Sequence, residues 1–193
     1  MRKTTRKIIM VAVMGTLLTL LPAGLALARD VVCNRDFNGI QCFGTDNRDE
    51  ITGSNDVDYI YAYDGDDEVR GRDGDDVIYG GDDDDTIEGE EGDDAIAGEE
   101  GNDIIYGGEG NNVISGGPGN DVMVTGNGND RIVDPDGRDT DRVGSAGGND
   151  VVNVRDDDGR DTVNCGPGRN DTVRADRGDN VNRNCENVRE PGR

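Results

Sequence analysis

Between Gly44 and Val133 a large aliphatic residue returns every ninth position: Ile51, Ile60, Val69, Ile78, Ile87, Ile96, Ile105, Ile114, Met123 and Ile132. Two residues before each stands a carboxylate or its amide: Asp49, Asp58, Asp67, Asp76, Asp85, Asp94, Asp103, Asn112, Asp121 and Asp130. Both columns hold through ten gapless nonapeptides, such as GRDGDDVIY and GGPGNDVMV. A fixed period of nine marks a repeat architecture rather than a helix or an isolated strand. The last three residues of each unit predict a short strand with its middle residue inward, because side chains alternate across a strand. The six glycine-rich residues before it predict a turn. Two units make one coil, and stacking coils about 4.8 Å apart pairs each strand with the one 18 residues on. The expected fold class is all-β, with two parallel sheets enclosing one thin core.

Composition makes that core precarious. Hydrophobic residues are 32% of the 193, tryptophan is absent, and 43 acidic residues face 20 basic ones. Composition alone predicts disorder; only the periodicity argues otherwise. One aliphatic side chain per strand is too little to fold unaided. On each edge of the stack, moreover, carboxylates come into register. Asp58 would face Asp76 and Asp94, and Asp67 would face Asp85 and Asp103 on the opposite edge. At about 5 Å such neighbours repel by roughly 1 kcal/mol in water, and by more when shielded from it.

The repeats resemble the haemolysin-type calcium-binding nonapeptide of RTX proteins, G-G-x-G-x-D-x-U-x with U a large aliphatic, most plainly in GGPGNDVMV and GRDGDDVIY. The resemblance implies a parallel β-roll, a right-handed solenoid, with Ca2+ between successive turns. The chemistry is consistent with it, since calcium takes about six to eight oxygens, which aspartates and turn carbonyls supply. The candidate ligands are Asp49, Asp58, Asp67, Asp76, Asp85, Asp94, Asp103, Asp121 and Asp130, for roughly eight ions between coils. Residues 44–133 hold 27 acids and four arginines, so eight divalent ions cancel most of their charge. At calcium ten times above a Kd of ~10⁻⁴ to 10⁻³ M, each site stabilises by about 1.4 kcal/mol. Eight sites together match the whole stability of an ordinary domain. Asp82, Asp83 and Asp84 are open between outer ligands and solvated surface.

The ends read differently. Arg2, Lys3, Arg6 and Lys7 precede an apolar run from Ile8 to Leu21 and the small-x-small pattern Ala26-Leu27-Ala28. Residues 1–28 are therefore expected to be a secretory signal peptide, too short in its apolar part for a membrane span. Removing it leaves 43 acids against 16 arginines, with no lysine or histidine. Such a field repels nucleic acid and anionic membranes and attracts cations. Residues 29–43 predict an N-terminal cap, 134–189 degenerate repeats with a C-terminal cap, and 190–193 a tail. In the degenerate part Asp-x-Val recurs at Asp141, Asp150, Asp161, Asp171 and Asp179 with uneven steps. Residues 134–193 together hold fourteen acids and ten arginines, which predicts an irregular roll held by ion pairs and a disulfide more than by calcium. Four cysteines in a secreted chain favour bridges, Cys33 with Cys42 and Cys165 with Cys185, as caps on an open solenoid.

Catalysis is not expected. The chain beyond Ala28 has no histidine or lysine and only Ser54, Ser115 and Ser145 as serines, and residues 29–43 are too few for a separate active module. Arg177-Gly178-Asp179 and the acceptor Asn170-Asp171-Thr172 are read as chance products of composition. Outward positions gather Tyr59, Tyr61, Val77 and Tyr79 on one sheet and Ile104, Tyr106, Val122 and Val124 on the other. Either patch is ordinary strand composition or a surface for a cell-surface or self-association partner. The expected function is a secreted calcium-binding protein that folds on meeting the ion; the alternative is a calcium-dependent adhesion or extracellular-matrix module.

Overall fold

A computed structural model describes residues 29–32, 34–36, 39–134, 139–156 and 160–191. The expected signal peptide lies outside them. In chain order the strands are β1 (Arg29–Val32), β2 (Asn34–Asp36), β3 (Gly39–Phe43), β4 (Asp49–Thr52), β5 (Asp58–Asp64), β6 (Glu68–Asp73), β7 (Val77–Asp82), β8 (Thr86–Glu91), β9 (Ala95–Glu100) and β10 (Ile104–Gly108). There follow β11 (Val113–Ser115), β12 (Val122–Thr125), β13 (Arg131–Val133), β14 (Arg142–Gly144), β15 (Val151–Asn153), β16 (Thr162–Asn164), β17 (Thr172–Arg174), β18 (Asn180–Val181) and β19 (Asn187–Arg189). They alternate between two sheets, ordered β1-β4-β6-β8-β10-β12-β14-β16-β18 and β19-β17-β15-β13-β11-β9-β7-β5-β3-β2. The chain is thus a β-solenoid of about 8 turns, with no helix among the described residues.

Register follows the period. Ile60 pairs Ile78 and Ile78 pairs Ile96 in one sheet, as Val69 pairs Ile87 and Ile105 pairs Met123 in the other. Each aliphatic enters the core between the two sheets; Ile51, Ile60, Val69, Ile78, Ile87, Ile105, Ile114, Met123 and Ile132 are fully buried. Cys42 extends one column at its start, paired with Ile60 and equally buried, and Val152 and Val173 continue it. A buried side chain of this size contributes about 1.5–3 kcal/mol, so cohesion depends on the length of the stack.

The strands depart from the three-residue expectation. Strands β6 to β9 are six residues each and β5 is seven, because pairing resumes after the first position of the next repeat. Tyr61 pairs Tyr79, then Tyr63 pairs Gly81 and Asp64 pairs Asp82, with Ala62 and Gly80 stepping out between. The step uses a left-handed second position, at φ 83° for Tyr63, 84° for Arg72, 77° for Glu90 and 78° for Glu99. Each such non-glycine residue costs on the order of 1–2 kcal/mol. From β11 onward most strands are three residues, as expected.

The N-terminal end also corrects the purely parallel picture. Strands β1 and β3 already belong to the roll, parallel to β4 and β5, but β2 pairs antiparallel with β3 and so blunts the exposed edge. Cys42 is disulfide-bonded; Cys33, its expected partner, lies outside the described residues. At the other end Cys165 and Cys185 form the expected bridge, with Cα atoms 5.2 Å apart.

Candidate metal centres

The sixth-position aspartates form two ladders, one along each edge of the roll. On one edge the Asp49 N–H donates to Asp67 Oδ1 at 2.7 Å, Asp67 to Asp85 at 2.8 Å, Asp85 to Asp103 at 2.8 Å and Asp103 to Asp121 at 2.8 Å. On the other, Asp58 donates to Asp76 at 2.8 Å, Asp76 to Asp94 at 2.8 Å, Asp94 to Asn112 Oδ1 at 3.0 Å and Asn112 to Asp130 Oδ1 at 2.8 Å. All nine candidate ligands are buried, at 2% exposure or less. The structure therefore brings them together in two separate rows of carboxylates.

One oxygen of each carboxylate accepts a ladder N–H or, in Asp49 and Asp58 at the ladder starts, an N–H of its own turn from Thr45 and Ser54; the other is stranded. Oδ2 of Asp67, Asp76, Asp85, Asp94, Asp103, Asp121 and Asp130 is buried without a hydrogen-bond partner, as is Oδ1 of Asp49 and Asp58. A buried polar atom left unpaired costs about 1–3 kcal/mol, so a row of them calls for a cation. The protonation equilibria agree. Burial pushes Asp67, Asp76 and Asp121 up to about 7, Asp85 to about 8, and Asp94 and Asp103 to about 6, while the N–H each accepts pulls the other way. Charges of neighbouring aspartates add to the rise.

Glycine at the first position opens the space in front of the stranded oxygens of Asp76, Asp85, Asp94, Asp103 and Asp121, whereas Asp67 follows Ala62 and Asp130 follows Thr125. A Cβ on Gly98 would collide with Asp103 Oδ2 and lie 2.7 Å from the Gly116 carbonyl; on Gly80 it would collide with Asp85 Oδ2 and lie 2.6 Å from the Gly98 carbonyl. A carboxylate oxygen and a backbone carbonyl thus converge on the spot a side chain would fill. Repeat eight shows what belongs there. Asn112 Nδ2, standing where the other repeats carry a second carboxylate oxygen, donates to the carbonyls of Gly108 at 3.1 Å and Gly110 at 3.4 Å. The turn carbonyls therefore aim at the sixth side chain, and they accept from the amide donor that stands there. Two acceptors facing a carboxylate across a glycine-lined gap are hard-oxygen ligands suited to calcium.

The fifth position builds a second ladder that the sequence reading missed. Asn102 Nδ2 donates to Asp84 Oδ1 at 2.8 Å and Asn120 Nδ2 to Asn102 Oδ1 at 3.0 Å. On the opposite edge Asn111, Asn129 and Asn149 continue from Asp93 in the same way. Recurrence of Asn at this position was the available signal. It also resolves the DDD run. Asp84 is an exposed ladder acceptor, its carboxyl held low by the Asn102 donors. Asp82 is an exposed strand residue beside Asp64 and Glu100, and Asp83 takes the left-handed turn at φ 84°.

The degenerate repeats differ from expectation as well. An ion pair is present there, Arg155 Nε to Asp176 Oδ1 at 3.9 Å, but the aspartate ladder carries on through it. Asp121 donates to Asp141 at 2.9 Å, Asp130 to Asp150 at 3.0 Å, Asp141 to Asp161 at 2.9 Å and Asp150 to Asp171 at 2.9 Å. The uneven steps hid this, because the extra residues are taken up in the turns while the Asp-x-Val strands keep their register.

The family described as RTX calcium-binding nonapeptide repeat (4 copies) matches over residues 43–78, 70–105 and 97–132. No curated protein and no solved structure matches the chain. Stacked turns, stranded carboxylate oxygens and the sequence match agree: residues 43–132 belong to the family of RTX calcium-binding nonapeptide repeats, and these repeats imply calcium binding.

Proposed function

We propose that this is a secreted calcium-binding protein whose roll forms on binding about eight ions between stacked turns, with Asp49, Asp58, Asp67, Asp76, Asp85, Asp94, Asp103, Asp121 and Asp130 as ligands. The observation that carries it is the row of buried carboxylate oxygens without partners. Uncompensated, they and the left-handed second positions oppose the fold; with calcium the oxygens become ligands and the coils are joined. Export in the unfolded state followed by folding in extracellular calcium is the consequence, and the disulfide fits an oxidising compartment. Circular dichroism of the purified protein during a calcium titration tests it. The expected result is coil in chelator and β-structure by ~10 mM calcium, above the Kd range of such sites. β-structure at neutral pH in chelator, or coil at the end of the titration, refutes it.

An adhesive or self-assembling role has one observation in its favour. Phe43, Tyr61 and Tyr79 stack in a row on one sheet, with ring centroids 5.6 Å and 5.1 Å apart, and Phe43, Tyr59 and Tyr63 are exposed. Exposed aromatic patches mark contact surfaces. Sedimentation in calcium reads this role directly, and a monomer at all concentrations that also stays off cell surfaces speaks against it.

A further inference from the structure

Where the strict repeats end, the chemistry of the first position changes. Gly116, in the last turn of its edge that begins with glycine, is followed one coil later by Asp134. A Cβ on Gly116 would collide with Asp121 Oδ2 and lie 2.6 Å from Asp134 Oδ2, the place where Gly80 and Gly98 meet a backbone carbonyl instead. Asp141 joins them: one carboxylate oxygen from each of Asp121, Asp134 and Asp141 lies within 4.8 Å of the others, and all three residues are buried.

Backbone donors fix the three carboxylates in place. Asp121 Oδ1 accepts from the Asp103 N–H at 2.8 Å, Asp141 Oδ1 from Asp121 at 2.9 Å, and Asp134 Oδ1 from Gly117 at 3.2 Å. Asp121 Oδ2 and Asp134 Oδ2 are left buried without a partner, in residues 1% and 2% exposed, and both aim at the open face of Gly116. Nearby, Asp139 Oδ2 accepts from the Gly119 N–H at 2.8 Å and adds negative charge.

We propose that Asp121, Asp134 and Asp141 form a separate calcium site at the junction of the strict and degenerate repeats, which fills before the repeat sites. It rests on the calcium reading above and differs from it in kind. The repeat sites present one stranded carboxylate oxygen and neutral carbonyls, whereas this site presents three carboxylates to one ion. Calcium affinity rises with the number of charged ligands and the rigidity of the site, and the flexible oxygen shell suits calcium better than magnesium. An ion bound here ties the strand after the insertion to the last strict coil, so it would set the register from which the array grows.

Isothermal titration of the full chain with calcium, under competition from a chelator of known affinity, tests the site in the wild type, D134G and D134N. D134G restores the residue type of the preceding repeats; D134N keeps the size and removes the charge. The expected wild-type curve has one ion taken up at ~10-fold lower free calcium than the rest, the direction set by its extra ligand charge. Both variants lose that phase, bind the remaining ions as before, and reach the wild-type β-signal in saturating calcium. A tight phase that survives in both variants, or its absence from the wild type, overturns the proposal. A wild type that takes up the single tight ion alone upholds this site and refutes the repeat sites, so the two failures are told apart.

Discussion

Residues 44–133 and 134–189 share one scaffold and differ in one column. Both run the Asp-x-aliphatic strand, both bury the aliphatic, and both link coils through an aspartate N–H to the next carboxylate. The strict half begins most of its turns with glycine, whereas the degenerate half puts Asp134, Ser145, Val154, Cys165 and Ala175 there, all buried. Each aspartate therefore has two separable jobs. Oδ1 joins successive coils along most of both ladders, and the stranded oxygen is the proposed ligand where the turn leaves room in front of it. On the calcium reading, the aspartate column would specify the stacking and the first-position column the kind of site in front of it.

The largest effect that probes this division is acid in the absence of calcium. Folding raises the buried carboxylates above their ordinary value near 3.8, in the strict half to about 7 for Asp76 and about 8 for Asp85, and in the degenerate half to about 7 for Asp161. The folded state therefore binds more protons than the unfolded one. The stability this contributes is fully present below about pH 4 and is lost as pH rises through 6 to 8. In chelator, β-structure should grow as the pH falls from 8 toward 5 in both halves, whereas calcium at pH 8 should protect residues 44–133 first. Hydrogen exchange resolved by peptide, corrected for its intrinsic pH dependence, reads the two patterns. Equal protection of both halves by calcium would erase the distinction.

Next in size is a pair of glycine substitutions. In Gly98→Ala the new Cβ collides with Asp103 Oδ2 and crowds the Gly116 carbonyl, both held by the stack. A Cβ on Gly144, in β14 of the degenerate half, would meet only Val124 Cγ2, at an ordinary contact distance of 3.9 Å. Gly98→Ala should lower stability in calcium by roughly 2–4 kcal/mol, as overpacking and loss of a ligand position require. Gly144→Ala should stay within about 0.5 kcal/mol, the ordinary range for a side chain added in open space. Denaturant unfolding in saturating calcium compares them.

The nine-residue period made the solenoid, its core column and its two carboxylate rows legible before any coordinates, because register in a stack is a property of spacing. Strand length was less legible. Nothing in Tyr63, Arg72, Glu90 or Glu99 announces a left-handed backbone, a conformation imposed by the coils above and below. The sequence also suggested that arginines balance the acids of the degenerate half. Charge count carries no register, so it did not reveal that Asp141, Asp150, Asp161 and Asp171 also occupy ladder positions. Asp134 escaped notice as a candidate ligand because the 18-residue offset from Gly116 gives its first position but not that its carboxylate meets those of Asp121 and Asp141.

The smallest expected effect is the most discriminating, and it sets D85N beside D161N. Both aspartates accept an N–H on Oδ1, from Asp67 at 2.8 Å and Asp141 at 2.9 Å, and both strand a buried Oδ2. An amide keeps the ladder bond and replaces the stranded oxygen with a donor, as Asn112 already does toward Gly108 and Gly110. In chelator, each variant should be about 1 kcal/mol more stable than the wild type, because an unpaired buried acceptor is removed. In calcium they should part. Asp85 follows Gly80, whose missing side chain leaves the ligand space open, so D85N should bind one ion fewer and forfeit about 1.4 kcal/mol at ten times Kd. Asp161 follows Val154, a fully buried apolar side chain at the first position, so D161N should bind as many ions as the wild type. Ion counts by equilibrium dialysis decide between them. Loss of an ion in D161N would show that a stranded oxygen alone makes a site, with or without glycine before it.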